Sequence, residues 1–372
     1  MNFSFEEALR KLGAAFAFLL INGARPASSY LFSTFLPERP MRSYEVKSGS
    51  MTIRPTMAGL VGMDSPLPPT GQMEISTFLE RSAKIGNRIT MTEEAIRTLQ
   101  EMLMFLQASG ASTNERMVEE VLNFTNALII QPHLDTAEWM RGLALTTGAI
   151  SWTFNGLTLS VDYGIPSGNK LAKRTGNNAY GGSTSKFWDD VRAQNRLLRS
   201  SRQIVRIAHS DLIDDIVYNT ANNLQVLAND GSMVQVRKMI SQNGTNAPSS
   251  DARDVVTIYK YDLEAEIIDP TDSSKTIKIP FCPRTQFVAL GTAVNTGYVV
   301  GAGSTQPTEY ELGYTHLAPT VEAGGAPGRW ARVRTPENRP WQLEGEGASN
   351  LLPVIDARSA NRIAIASSEV SS

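Results

Sequence analysis

The densest group of residues able to do chemistry is His209, Asp211, Asp214 and Asp215 in the segment HSDLIDD. One imidazole and three carboxylates at this spacing could ligate a divalent cation. The same run also reads as a helix start, with Ser210 as the cap and carboxylates meeting the positive end of the helix dipole. That reading uses every residue without a metal and is preferred. His133 and His316 are distant in sequence, and no histidine sits in an H-E-x-x-H pattern. The chain lacks the phosphate-loop and nucleophile-elbow patterns, and Gly301-Ala302-Gly303 lacks the third glycine of a dinucleotide site. Cys282, the one cysteine, lies between Phe281 and Pro283 and reads as a buried small side chain rather than a nucleophile. Glu264 and Glu266 share a strand face and read as a solvated edge. The residues therefore predict no catalytic group, no metal and no cofactor.

One charged segment stands out. Between 170 and 206, Lys170, Lys173, Arg174, Lys186, Arg192, Arg196, Arg199, Arg202 and Arg206 face only Asp189 and Asp190. Such a patch raises the expectation of polyanion contact. Arg192, Arg196 and Arg199 are nevertheless at helical spacing, so a solvated helix face or ion pairs between subunits explain them without DNA, and this reading is favoured.

The elements that would hold these residues belong to a chain of 372 residues, long enough for two to three domains and a large core. Hydrophobic residues at 41%, charged residues at 19% and a net charge of −2 exclude a disordered chain and a generally basic nucleic-acid binder. A single cysteine excludes a disulfide framework and a thiolate zinc site. The apolar run Leu12–Ile21 is too short to cross a bilayer, and Glu6 and Glu7 before Arg10 and Lys11 spoil a signal-peptide start. Phe5, Leu9, Leu12, Phe16 and Leu19 follow a helical period, which suits an amphipathic arm docking on protein after cytosolic synthesis.

Pro26, Pro37 and Pro40 make 23–43 an extended connector. Met51, Ile53, Pro55 and Met57 alternate with polar residues, predicting an edge strand, and after the turn at 66–71 Met73, Ile75 and Phe78 begin a return leg. Helices are predicted from Thr90, with Ile96, Leu99, Leu103 and Leu106 on one face, and from Ser112, ending at Pro132. A third is expected to start at Asp135 and Glu138. Ile150–Phe154 and Leu157–Tyr163 flank Asn155-Gly156, the pattern of a tight hairpin. The Gly- and Asn-rich stretch 164–186 reads as a long loop. A helix at 186–200, a strand at 203–208 and a helix from Ser210 through Leu224 follow. Strands are then expected at 234–240, 254–268, 275–281, 286–291, 297–302, 329–334 and 361–366. Helices first and strands later, without βαβ alternation, give an α+β fold.

The order of these elements resembles the major capsid proteins of tailed double-stranded DNA phages, in particular the lambda-type E family with its Hong Kong 97 fold. SSYLFSTFLPERP lies in the presumed arm (1–42), and GSMTIRPTMAGLVGMDSPLPPTGQMEIS in the presumed extended loop (43–89). TAEWMRGLALTTGAISWTFNGLTLSVDYGIP is similar to the end of the spine helix and its hairpin, in a peripheral domain at 90–163. FWDDVRAQNRLLRSSRQIVRIAHSDLIDDI resembles the entry to an axial domain (164–319), and 320–372 its return to the peripheral domain. Gly110 and Pro132 divide the presumed spine.

The resemblance implies a structural protein of the virion, not an enzyme. It implies hexamers and pentamers that self-assemble into an icosahedral head enclosing double-stranded DNA without sequence-specific binding, with no membrane and no cofactor. Portal and decoration proteins are possible partners, and the short N-terminus implies a separate scaffolding protein or none. On this view Phe16, Tyr30, Phe35, Met51, Ile53, Arg54, Met57, Glu80, Arg81, Lys84 and Arg88 contact neighbouring subunits. Near-zero net charge suits a container that must not bind phosphates strongly. The alternative within the same fold is an encapsulin-like nanocompartment shell.

Overall fold

The computed structural model describes residues 30–54, 72–91, 129–154, 157–201, 203–242, 245–268, 275–292, 311–334 and 343–370. Most of the helices expected from Thr90 and Ser112, and all of the strand at 297–302 and the apolar run at 12–21, lie outside these residues; Thr90 and Met91 themselves end a strand.

Two sheets share one helix. The first sheet runs β1 (Glu38–Pro40), β15 (Gly313–Ala318), β17 (Leu343–Ile355), β16 (Arg329–Arg334), and β4 (Ala83–Met91) lies along the other edge of β17. β1 and β15 are parallel, with Glu38 opposite Thr315. The second sheet runs β10 (Thr245–Pro248), β9 (Met233–Gln242), β11 (Val255–Lys260), β7 (Ile204–Ala208), β14 (Gln286–Gly291), β18 (Ile363–Ser367), with β8 (Leu224–Asn229) also on β9. Helix α2 (Gln131–Thr147) packs on β17 of the first sheet and on β14 and β18 of the second. It is buried nearly all round, from His133 and Leu134 to Leu145 and Thr146, as a helix between two layers must be. Gly142 lets it approach so closely that a Cβ there would lie 2.1 Å from the Phe281 carbonyl oxygen. Gly148, at φ 73°, ends the helix in the left-handed conformation that glycine adopts without strain.

The other face of the second sheet is covered by α3 (Phe187–Leu197) and α4 (Ser210–Tyr218), which bury Phe187, Trp188, Leu212 and Ile216 against Val236, Ile258 and Phe287. Three two-strand ribbons complete the fold: β2 (Glu45–Arg54) with β3 (Gln72–Arg81), β5 (Ala149–Phe154) with β6 (Leu157–Asp162), and β12 (Glu264–Ile268) with β13 (Thr276–Pro280).

Several expectations change. Residues 30–43 are not an extended connector: the single turn α1 (Phe32–Phe35) precedes β1, because Phe32, Phe35 and Leu36 enter the core. Pro132 sits in the first turn of α2, where its missing N–H costs nothing, so it does not end a helix there, and Asp135 and Glu138 lie within the helix rather than at its start. The 164–186 loop is pinned along β18: Leu171 N–H donates to the Ile365 carbonyl and Arg174 N–H to that of Ser367, each at 2.8 Å. Helix α4 is capped by His209, whose Nδ1 accepts the Asp211 N–H, and not by Ser210. It stops at Tyr218, since Asn219 caps a short turn that Asn223 ends at φ 44°, and Leu224 then starts a strand. The 254–268 segment is two strands in different sheets, broken where Tyr261 turns into the core. Because β15 belongs to the first sheet and β18 to the second, the expected boundary at 319 and the return at 320–372 do not follow sheet membership.

Candidate functional site

The N-terminal segment from residue 30 is clamped to the body by buried polar groups. Glu138, fully buried on α2, accepts from the Phe32 N–H and the Tyr261 hydroxyl, both at 2.7 Å, and from Arg141 Nη1 at 3.1 Å. Arg141, also fully buried, donates to Glu38 on β1 at 2.7 Å and to the Thr315 hydroxyl at 2.7 Å. Arg329 adds a two-pronged pair to Glu38. Burial pulls the Glu38 carboxyl upward, but the hydrogen bonds and charges of Arg329 and Arg141 outweigh it and hold the group below the usual range. For Glu138 burial prevails over Arg141, Tyr261 and the Phe32 amide, and its pKa is raised. Two carboxylates and two guanidiniums thus fix α1 and β1 to α2, β15 and β16.

A second junction roots the long ribbon. His133 bridges Ser349 on β17, at 2.8 Å from Nδ1, and Asn87 on β4, at 3.0 Å from Nε2. Burial, assisted by the Arg329 charge, lowers its pKa to about 4. At the base of β2, Val46 is buried, the Ser82 N–H donates to the Tyr44 carbonyl at 3.1 Å, and His316 Nε2 meets the Ser43 carbonyl at 2.8 Å. From there β2 and β3 pair over ten positions, from Glu45 opposite Arg81 to Arg54 opposite Gln72, a reach of about 30 Å at ~3.4 Å per residue. They pair only with each other among the described residues.

The expected contact residues fall into distinct groups. Tyr30 and Phe35 are 5% and 3% exposed and pack within this chain's own core. An apolar residue type foretells burial but not the surface that provides it. Met51 and Ile53 lie on β2 opposite Ile75 and Met73 on β3, and Arg54, Glu80 and Arg81 occupy the same ribbon. Lys84 and Arg88 on β4 pair with Glu322 and Glu344 of the same chain. Phe16 and Met57 lie outside the described residues. Glu138, Arg141 and Arg329, which sequence reasoning passed over as contact residues, carry the clamp; the i, i+3 spacing of Glu138 and Arg141 in an apolar helix was the available signal.

The HSDLIDD residues do not gather around an ion site. Asp211 is engaged by its helix start and by Arg284 at 3.4 Å, and Asp214 points from an exposed position. A cavity of about 700 Å³ lies beside Asp211, Asp214, Asp215, Arg284 and Glu369. Among the described residues no three His, Cys, Asp or Glu side chains converge as a metal set. Cys282 is buried, and burial pushes its thiol up to about 12. Much of the basic segment is used internally: Arg174 pairs with Asp190, Lys186 with Asp189, and Arg206 bonds Gln194 and Asn195. No helix of the described residues is long and apolar enough to cross a membrane.

A body of two sheets around a shared helix, a clamped N-terminal segment and a long two-stranded ribbon make up a fold of the Hong Kong 97 type. The structure is similar to that described for a prophage capsid protein (E. coli CFT073), with 11% identity, a TM-score of 0.54 and coverage of 96% of this chain and 99% of the other. Weaker likenesses are to the satellite phage P4 procapsid (9% identity, TM-score 0.46, 99% of each chain) and to the SrpI encapsulin of Synechococcus elongatus PCC 7942 (10%, 0.40, 95% and 94%). No curated protein matches the sequence. The sequence profile of the phage major capsid protein E family matches residues 20–223, more than half of the chain, and the chain belongs to that family. It is a structural protein of the phage head, located in the capsid shell, and the encapsulin alternative is not favoured.

Proposed function

We propose that copies of this chain assemble as hexamers and pentamers into an icosahedral shell around packaged double-stranded DNA. The body supplies the rigid unit, and the β2–β3 ribbon supplies the adjustable contact by lying across a neighbouring copy. One observation carries this reading: a ribbon of ten paired positions whose outer edges take no further strand among the described residues. Exposed edges invite another chain, and here an added strand or a laid-down face would satisfy the backbone and bury Met51 and Ile53 together. Met57 and, in the arm, Phe16 are assigned to the same neighbour contacts, and Arg54, Glu80 and Arg81 to their polar rim. Many modest contacts per subunit stabilise a closed lattice without tight pairwise binding. The peripheral part centres on the first sheet and the axial part on the second. Scaffolding, portal and decoration proteins fit this scheme as separate partners, and no catalytic step is needed.

The test removes the ribbon but keeps its root. Deleting 44–89 would take away most of β4 and strip one edge of β17, so the excision must be shorter. Ser48 lies opposite Phe78, and joining them through Asn-Gly in place of 49–77 makes a short hairpin. Folded subunits or capsomers that fail to close are expected by negative-stain microscopy. Normal particles from this variant would refute the role of the ribbon.

A further inference from the structure

Two helices on the outer face of the second sheet carry opposite charge. Arg192 and Arg196 on α3, and Arg199 in the turn that follows it, repeat at helical spacing, with Leu197 36% exposed among them. None of the three takes an ion pair among the described residues; Arg196 Nε reaches only the Arg192 carbonyl, at 3.4 Å. The surrounding charge is also positive. Lys238 Nζ lies 5.9 Å over the Trp188 ring, and burial followed by the Arg192 charge lowers its pKa, with Asp254 and Asp189 only partly offsetting them. On α4, Asp211, Asp214 and Asp215 lead along the helix to Tyr218, which is 77% exposed. Asp214 is exposed and takes no partner among the described residues.

We propose that the arginine stripe on and just after α3 in one copy docks on the Asp211–Tyr218 stripe of α4 in the next copy around a capsomer. This rests on the shell reading above and names a contact within it. Three observations favour a second copy of the chain. The signs are complementary. Each stripe spans seven residue steps, about 10 Å at ~1.5 Å per residue, so one matches the other in length. Arg and Tyr, moreover, are the residue types enriched at protein interfaces. Joining α3 of one copy to α4 of the next uses two different patches, and a head-to-tail contact of this kind makes a ring when the rotation between copies closes. The main rival occupant of the basic stripe is duplex DNA. It is disfavoured because Arg174, Lys186 and Arg206 are already spent inside the chain, which shrinks the positive patch to the α3 stripe and its flanks.

The test is a charge swap in the full-length chain. Arg196 and Asp214 lie at the middle of their stripes, so they meet whichever way the helices run. Arg196→Glu and Asp214→Arg are each expected to lower the capsomer and shell fraction about tenfold or more, read by mass photometry in low salt. The double variant is expected to recover assembly to within about threefold of the parent. At 1 M salt, where the screening length falls to about 3 Å, the difference between parent and single variants should narrow. Single variants that assemble like the parent, or a double variant as poor as either single, overturn the contact. Loss of duplex binding by Arg196→Glu with assembly intact also overturns it and assigns the stripe to DNA. If the unaltered chain forms no capsomers or shells, the shell reading fails first and takes the contact with it.

Discussion

Truncating Glu138 to alanine tests the clamp at its most loaded atom. Three donors converge on this carboxylate: the Phe32 amide, the Tyr261 hydroxyl and Arg141. Each buried donor left unmet costs about 1–3 kcal/mol. Breaking a buried ion pair costs about 3–5 kcal/mol. These counts overlap at Arg141, which also retains Glu38 as a partner. The raised pKa of Glu138 means that burial offsets much of what its partners give, which moves the expectation to the lower end. The predicted loss is about 3 kcal/mol in urea unfolding, with hydrogen-exchange protection at the Phe32 amide lost well before the second sheet opens. Glu138→Gln keeps an acceptor oxygen for Phe32 and Tyr261, so its loss should be smaller and Phe32 protection partly kept. An alanine variant within about 0.5 kcal/mol of the parent, with Phe32 still protected, would mean that apolar packing alone holds the segment.

Gly142→Ala reverses the usual helix preference. Alanine normally favours a helix by about 1 kcal/mol over glycine, but here its Cβ meets the Phe281 carbonyl at 2.1 Å, so a net loss of about 1–3 kcal/mol is expected in thermal or urea unfolding. A variant as stable as the parent would refute the close approach of α2. His133 gives a pH dependence. Its pKa is about 4 folded against about 6.5 unfolded, so the unfolded state binds more protons between these values. Stability should therefore fall as pH drops from about 6.5 toward 4, by up to about 3 kcal/mol, and stay flat above. His133→Gln should flatten that slope in urea midpoints measured from pH 4.5 to 7, and an unchanged slope would count against the buried neutral imidazole.

Elements whose own residues carry a clear pattern were the legible ones. The Asn-Gly hairpin, the return leg after 66–71, α3, β7 and β14 all carry their pattern locally. β1, β15 and β17 were not anticipated because their residues alternate poorly. β17, in LEGEGASNLLPVI, mixes glycine, carboxylates and proline, and its strand character comes from β15, β16 and β4 on its two edges. The family resemblance was readable from element order. The clamp was not, because Glu138 and Arg141 look like surface residues until Glu38 and Arg329 arrive from the two ends of the sequence. Tyr30 and Phe35 show the converse, since their apolar character fitted a neighbour's surface as well as the chain's own core.

The first sheet is stitched from strands far apart in the sequence. Arg88 on β4 lies 256 residues before its partner Glu344 on β17, and Glu38 lies 291 before Arg329. Long-range pairing of this kind forms late, and chains emerge from the ribosome N-terminus first. In a nascent chain β1 and β4 therefore stay without their partner strands until β15 and β17 have been made.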